Sequence, residues 1–157
     1  MLRLIGRVAA ALAVTTSMWA ATAVPANAQA TDAVDGCGAS PIDSESAYVP
    51  SNVRGHRLWR ITTTREGSIA IKCGNGSTWG AVHVELKHEG PNWTDALTCI
   101  QNTINRGAAS DGKNRKRNYT YRISGASIVV VVGDSGVLTA YPRGTGVVRK
   151  WRLCSAS

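Results

Sequence analysis

Two of the chain's three histidines, His83 and His88, fall within six residues of each other in the segment WGAVHVELKHEG, with Lys87 beside the second. Imidazole exchanges protons near neutral pH, and an adjacent ammonium offsets negative charge, so the segment holds an inventory for acid–base chemistry on an anion. The order His-Val-Glu-Leu-Lys-His is not the HExxH pattern of a zinc protease, which needs its second histidine one residue earlier. A spacing of five also sends the rings to different faces of a regular helix or strand, so they act together only if the backbone bends between them. The ordinary alternative is a packed or surface histidine in an amphipathic segment.

A second set of candidates lies in VVVVGDSGVLTAYPRG, residues 129–144. Alternation along a strand puts Val137, Thr139 and Tyr141 on one face and Leu138 with Ala140 on the other. Polarity favours Leu138 and Ala140 in the core, with Thr139 and Tyr141 turned toward a cleft and Arg143 following. A hydroxyl donates to a phosphate oxygen, and a phenol does the same or stacks on a base. A cross-strand pair on a solvated face is the competing account.

The elements that must position these residues come from periodicity. HRLWRITTT (56–64) and SIAIKC (68–73) read as two strands around a turn at Arg65-Glu66-Gly67, where Gly67 tolerates positive φ. GNGSTWG (74–80) is a loop, and AVHVELKH (81–88) suits either a strand or a helix. In NWTDALTCIQNTINRG, Trp93, Ala96, Leu97, Ile100 and Ile104 recur at helical spacing, Asn92 is placed to cap, and Arg106-Gly107 closes the helix. Residues 118–124, 127–133, 137–142 and 147–153 read as four strands of an antiparallel sheet. The expected fold class is α+β, one amphipathic helix on a sheet of four or more antiparallel strands.

Residues 1–28 carry Arg3 and Arg7, then an apolar run and the Ala26-Asn27-Ala28 cleavage pattern, which predicts an export signal. Residues 29–55, rich in Gly, Pro, Ser and Asp, predict an irregular arm, and 56–157 the folded domain. The full chain has 157 residues and a formal charge of +8, and removing the two leader arginines leaves +6. A basic exported chain suits a polyanionic partner. Basic residues concentrate in DGKNRKRNY (111–119) and near the C-terminus.

The four cysteines, Cys37, Cys73, Cys99 and Cys154, predict two disulfides in an exported protein, and their wide spacing disfavours a zinc site. Of three possible connectivities, Cys73–Cys99 nested within Cys37–Cys154 is favoured because it staples each loop once.

The VHVELKH segment, followed by an amphipathic helix and by antiparallel strands ending in VLTAYP, resembles the barnase, EndoU, colicin and RelE-like superfamily of ribonuclease toxin domains over residues 56–153. The resemblance implies RNA cleavage on a sheet surface without metal or other cofactor. His83 and His88 would stand for its early histidines, Thr139 and Tyr141 for its late-strand hydroxyls, and Lys87, Lys72 or Arg143 for its phosphate-binding cations. It implies RNA as substrate and a cognate immunity or inhibitor protein as a further partner; a secreted, extracellular monomer without stable membrane association is expected. The competing expectation is a non-catalytic, disulfide-stapled cationic module that binds or inhibits another molecule.

Overall fold

A computed structural model describes residues 32–88, 91–144 and 148–157. The export signal expected at residues 1–28 lies outside the described residues. The protein is α+β, with two disulfides, and its sheet has six strands and is mixed where four or more wholly antiparallel strands were expected.

The arm is less irregular than its composition suggests. It forms a one-turn helix α1 (Ala33–Gly36) and a small ribbon of β1 (Ser40–Pro41) and β2 (Ala47–Tyr48). Ala33 and Val49 are fully buried, so the arm joins the main core. The hairpin β3 (Arg57–Thr63) and β4 (Gly67–Lys72) follows, turning at Gly67 with φ +66°. Alternation places Ile61, Ile69 and Ile71 inside.

The ambiguous segment resolves as helix α2 (Ala81–Lys87), which buries Ala81, Val82 and Val84. Helix α3 (Trp93–Arg106) buries Trp93, Ala96, Cys99, Ile100, Thr103 and Ile104 on one face, and Asn92 accepts the Asp95 amide at 3.3 Å as an N-cap. Leu97 is only partly buried against that core. Then come β5 (Ala108–Asp111), β6 (Arg117–Ile123), β7 (Ala126–Gly133) and β8 (Gly136–Arg143). The strand order is β3-β4-β8-β7-β6-β5, with every neighbouring pair antiparallel except β4 and β8, which run parallel and pair only at Ile71 and Val137. β5, with all four residues exposed, has no alternation from which a strand could be read.

The expected strand at 147–153 is instead helix α4 (Val148–Ser155). Trp151 and Cys154, three residues apart, are buried while Leu153 is 54% exposed, a burial order that follows a helix and not alternation. α4 packs on α3, β6 and β7, which brings Cys154 to Cys99. The favoured nested connectivity is therefore corrected. The disulfides are Cys37–Cys73, joining the arm to the end of β4, and Cys99–Cys154, joining the two helices, with Cα separations of 5.7 and 5.1 Å. All four cysteines are buried.

The covered side of the sheet is hydrogen-bonded as well as apolar. Glu66, at the β3–β4 turn, accepts from Arg117 Nη1 at 2.7 Å and from the Tyr119 hydroxyl, linking the hairpin to β6. Burial, then this carboxylate, pushes the Tyr119 phenol up from its usual range. Among the described residues no helix is long and apolar enough to cross a membrane.

Candidate active site on the open sheet face

Residues opposite each other in antiparallel strands share a face. The register of β6, β7 and β8 therefore gives three rows on the side away from α3 and α4: Arg122, Ser127 and Arg143; Thr120, Val129 and Tyr141; Asn118, Val131 and Thr139. The intervening rows, with Tyr119, Val130 and Ala140, enter the core.

One irregularity alters the expected alternation. Between the pairs Val131–Thr139 and Val132–Val137, β8 carries Leu138 as an extra residue. This bulge shifts the phase of the strand. Val137, expected beside Thr139, enters the core at 3% exposure, while Leu138, expected in the core, is partly exposed and lines a cleft with Thr139. Ala140 is buried, and Thr139 with Tyr141 lie on the other face, in keeping with the polarity of the segment.

β4 parts from β8 after its single bridge, and the loop 74–80 takes its place. The Leu138 carbonyl accepts the Gly80 amide at 2.7 Å, and α2 packs against β8. The loop closes because its ends touch backbone to backbone. A Cβ on Gly74 would stand 1.9 Å from the Trp79 carbonyl oxygen, and both Gly74 and Gly80 have positive φ. Inside it, the Asn75 side-chain oxygen accepts the amides of Ser77, Thr78 and Trp79 at 3.2, 2.9 and 3.2 Å.

The histidines meet because helix α2 ends between them. His83 is within the helix, whereas His88 is its C-cap with φ −123° and ψ 35°, outside helical geometry. The rings approach edge to face, with centroids 5.4 Å apart and planes at 85°. His88 in turn stacks on Tyr141, with centroids at 5.1 Å and planes at 29°. Arg143 Nη2 donates to the Tyr141 hydroxyl at 3.0 Å, and its guanidinium carbon stands 5.4 Å from that ring's centroid. His83, His88, Tyr141 and Arg143 thus form one contiguous array.

Both imidazoles are shifted toward the neutral form. Burial, then the neighbouring His83, then Lys87, pushes His88 down to about 4. Burial is also the main cause that lowers His83, with Lys87 adding to it and a backbone contact at Ser77 opposing it. His83 Nδ1 and the Thr139 hydroxyl are buried atoms without a hydrogen-bond partner among the described residues. Such atoms carry a desolvation cost that a ligand able to pair with them removes.

Two expected cations lie elsewhere. Lys87 forms an ion pair with Glu45 of the arm, turning its ammonium toward the hollow lined by Asp43, Ser44 and Ser46. Its charge still acts on both histidines. Lys72, beside the β4–β8 contact, lines a different hollow with Arg115, Arg117 and Gly136. Trp79 and Lys116 line the Thr139 cleft without having been singled out as site residues. Lys116 belongs to the basic run, but its cleft is made by the β8 bulge and the 74–80 loop, which periodicity does not reveal. Arg122 was likewise missed; its row with Arg143 follows only from the strand register.

Among the described residues no group of three or more His, Cys, Asp or Glu side chains is placed to hold a metal ion. Comparison with protein-family models, curated proteins and solved structures finds no match for this chain.

Proposed function

We propose that the protein is an exported endoribonuclease that cleaves RNA through the substrate's own 2′-hydroxyl. The observation that carries this reading is the array of two neutral imidazoles, a phenol and a guanidinium on an open sheet face. In the reaction a bond forms between O2′ and phosphorus, the bond from phosphorus to O5′ breaks, and the products are a 2′,3′-cyclic phosphate and a free 5′-hydroxyl. The protein must take one proton, return one and stabilise added charge on the phosphoryl oxygens.

The histidine pair begins neutral, so it accepts the 2′-hydroxyl proton, with His83 the leading acceptor. The pair returns one proton to the departing 5′-oxygen and ends as it began. Tyr141 accepts a hydrogen bond from Arg143, which leaves its own O–H to donate to a phosphoryl oxygen while the guanidinium supplies positive charge. The Thr139 hydroxyl is a further donor on the same face. None of these steps calls on a metal. Two disulfides fit an oxidising compartment, and the +6 charge that remains from +8 once the two leader arginines are removed fits a polyanionic substrate. An antibacterial role, with a cognate inhibitor protecting the producer, is the biological setting this activity would serve.

The test is incubation of the purified, oxidised protein with mixed RNA, followed by end-group analysis. Fragments ending in cyclic phosphate, lost in His83→Ala, are the expected result. If neither oxidised nor reduced protein yields such fragments, the enzyme reading falls. Retained RNA binding in both forms would then favour the non-catalytic cationic module.

A further inference from the structure

We infer that the cleft beside Thr139 is a subsite for one unpaired nucleobase, held against Trp79 and Leu138 next to the cleavage position; the link to cleavage rests on the ribonuclease reading. The cleft has a volume of about 530 Å³. Trp79, Leu138 and Val131 give it apolar surface, while Thr78, Ser135 and Lys116 supply hydroxyls and a cation. A nucleotide has this division of surface: a base with two apolar faces and a polar edge, joined through its sugar to a phosphate.

Two features of the backbone build the cleft. The bulge brings Leu138 out of the core, and bulges commonly re-aim a side chain in this way. The opposing turn leaves it room, because Gly133 has no side chain and a Cβ there would stand 2.9 Å from Leu138 Cδ1. On the other side, the three backbone amides that donate to the Asn75 side-chain oxygen fix the loop that carries Trp79. An apolar side chain is thus held out of the core beside an anchored indole.

The cleft is continuous with the proposed reaction site through Thr139, whose buried hydroxyl has no partner among the described residues. Thr139 and Tyr141 are two residues apart on one face of β8, a distance of roughly 6.6 Å along the strand. A strand of RNA lying along β8 would place a base in the cleft, the neighbouring phosphate at Tyr141 and His83, and the following backbone near Arg143. A base stacked within a duplex cannot enter, so the ligand is single-stranded.

The experiment measures binding apart from cleavage. The oxidised protein is titrated with a three-residue 2′-deoxy strand, which cannot cyclise, and with the same strand lacking its bases. The base-bearing strand is expected to bind roughly tenfold tighter, the scale of one base–aromatic stack. Trp79→Leu and, independently, Leu138→Ser should bring that ratio toward one while leaving affinity for the base-free strand unchanged, with folding verified by near-ultraviolet circular dichroism. Lys116→Gln should weaken both strands equally.

A wild-type ratio near one overturns the subsite, as does a ratio that survives in the folded Leu138→Ser variant. RNA cleavage with a ratio near one leaves the ribonuclease and removes the subsite. An intact ratio without cleavage does the reverse.

Discussion

The two faces of the same three strands differ in what they contain. Toward α3 and α4, strands β6 to β8 present Tyr119, Val130, Val132, Val137 and Ala140, none more than 7% exposed. On the other side they present Thr120, Arg122, Val131, Thr139, Tyr141 and Arg143, all at least partly exposed, around a buried Val129. The first face encloses apolar surface and ties Glu66 to Tyr119 and Arg117, leaving the Trp151 indole N–H of α4 as its one buried side-chain polar atom without a partner among the described residues. The second leaves polar atoms without partners and brings two titratable rings onto its edge. Stability and the proposed chemistry are thus separated by the thickness of a sheet, and substitutions on the two faces should separate in their effects.

The sharpest contrast is expected at His83. His83→Ala should lower RNA cleavage about 10²–10⁴-fold, the usual contribution of a proton-transfer group, with little change in melting temperature. A thermal shift that explains the whole loss would erase the distinction between the faces. On the covered side, removing the Cys99–Cys154 bridge by paired Ser substitutions should cost about 2–5 kcal/mol in a denaturant titration. Cleavage by the molecules that remain folded should be unchanged, because that bridge joins α3 to α4 and touches no member of the array.

Acid should act on both faces, through the open one. His88 titrates at about 4 in the folded protein and near 6.5 when unfolded, so between these values the unfolded chain binds the extra proton. Stability is therefore complete above about 6.5 and falls as pH drops toward 4, by on the order of 1–2 kcal/mol once solvent screening of a partly buried ring is allowed for. Melting curves should show this decline flattened in His88→Gln. Since the histidine pair must start neutral, the acid limb of RNA cleavage should lie below the ordinary histidine range. The smallest effect belongs to Asn92→Ala at the start of α3, about 1 kcal/mol of stability without a change in cleavage by the folded fraction.

The legibility of the site follows a similar division. Thr139 and Tyr141 could be assigned to one face because strand alternation is a local rule, and their shared face is observed. The same rule misassigned Val137 and Leu138 because a bulge is fixed by pairing with β7 and by the space above Gly133. Lys87 reads in sequence as a phosphate-binding cation, but its counterion is 42 residues earlier in the arm. The C-terminal segment reads as a strand because valines and a tryptophan favour that form. Packing on α3 made it a helix, and this also decided the disulfides.

By itself the sequence determined the α+β class, helix α3, the β3–β4 hairpin and the β6 to β8 meander, because each follows from spacings of two to four residues and from turn glycines. It also determined that the cysteines would be bridged and that the chain would carry strong positive charge. Only the tertiary structure decided the parallel join of β4 to β8, the cysteine partners and the meeting of His83, His88 and Tyr141. Those outcomes depend on which surfaces bury each other across tens of residues, and chain spacing contains no measure of that.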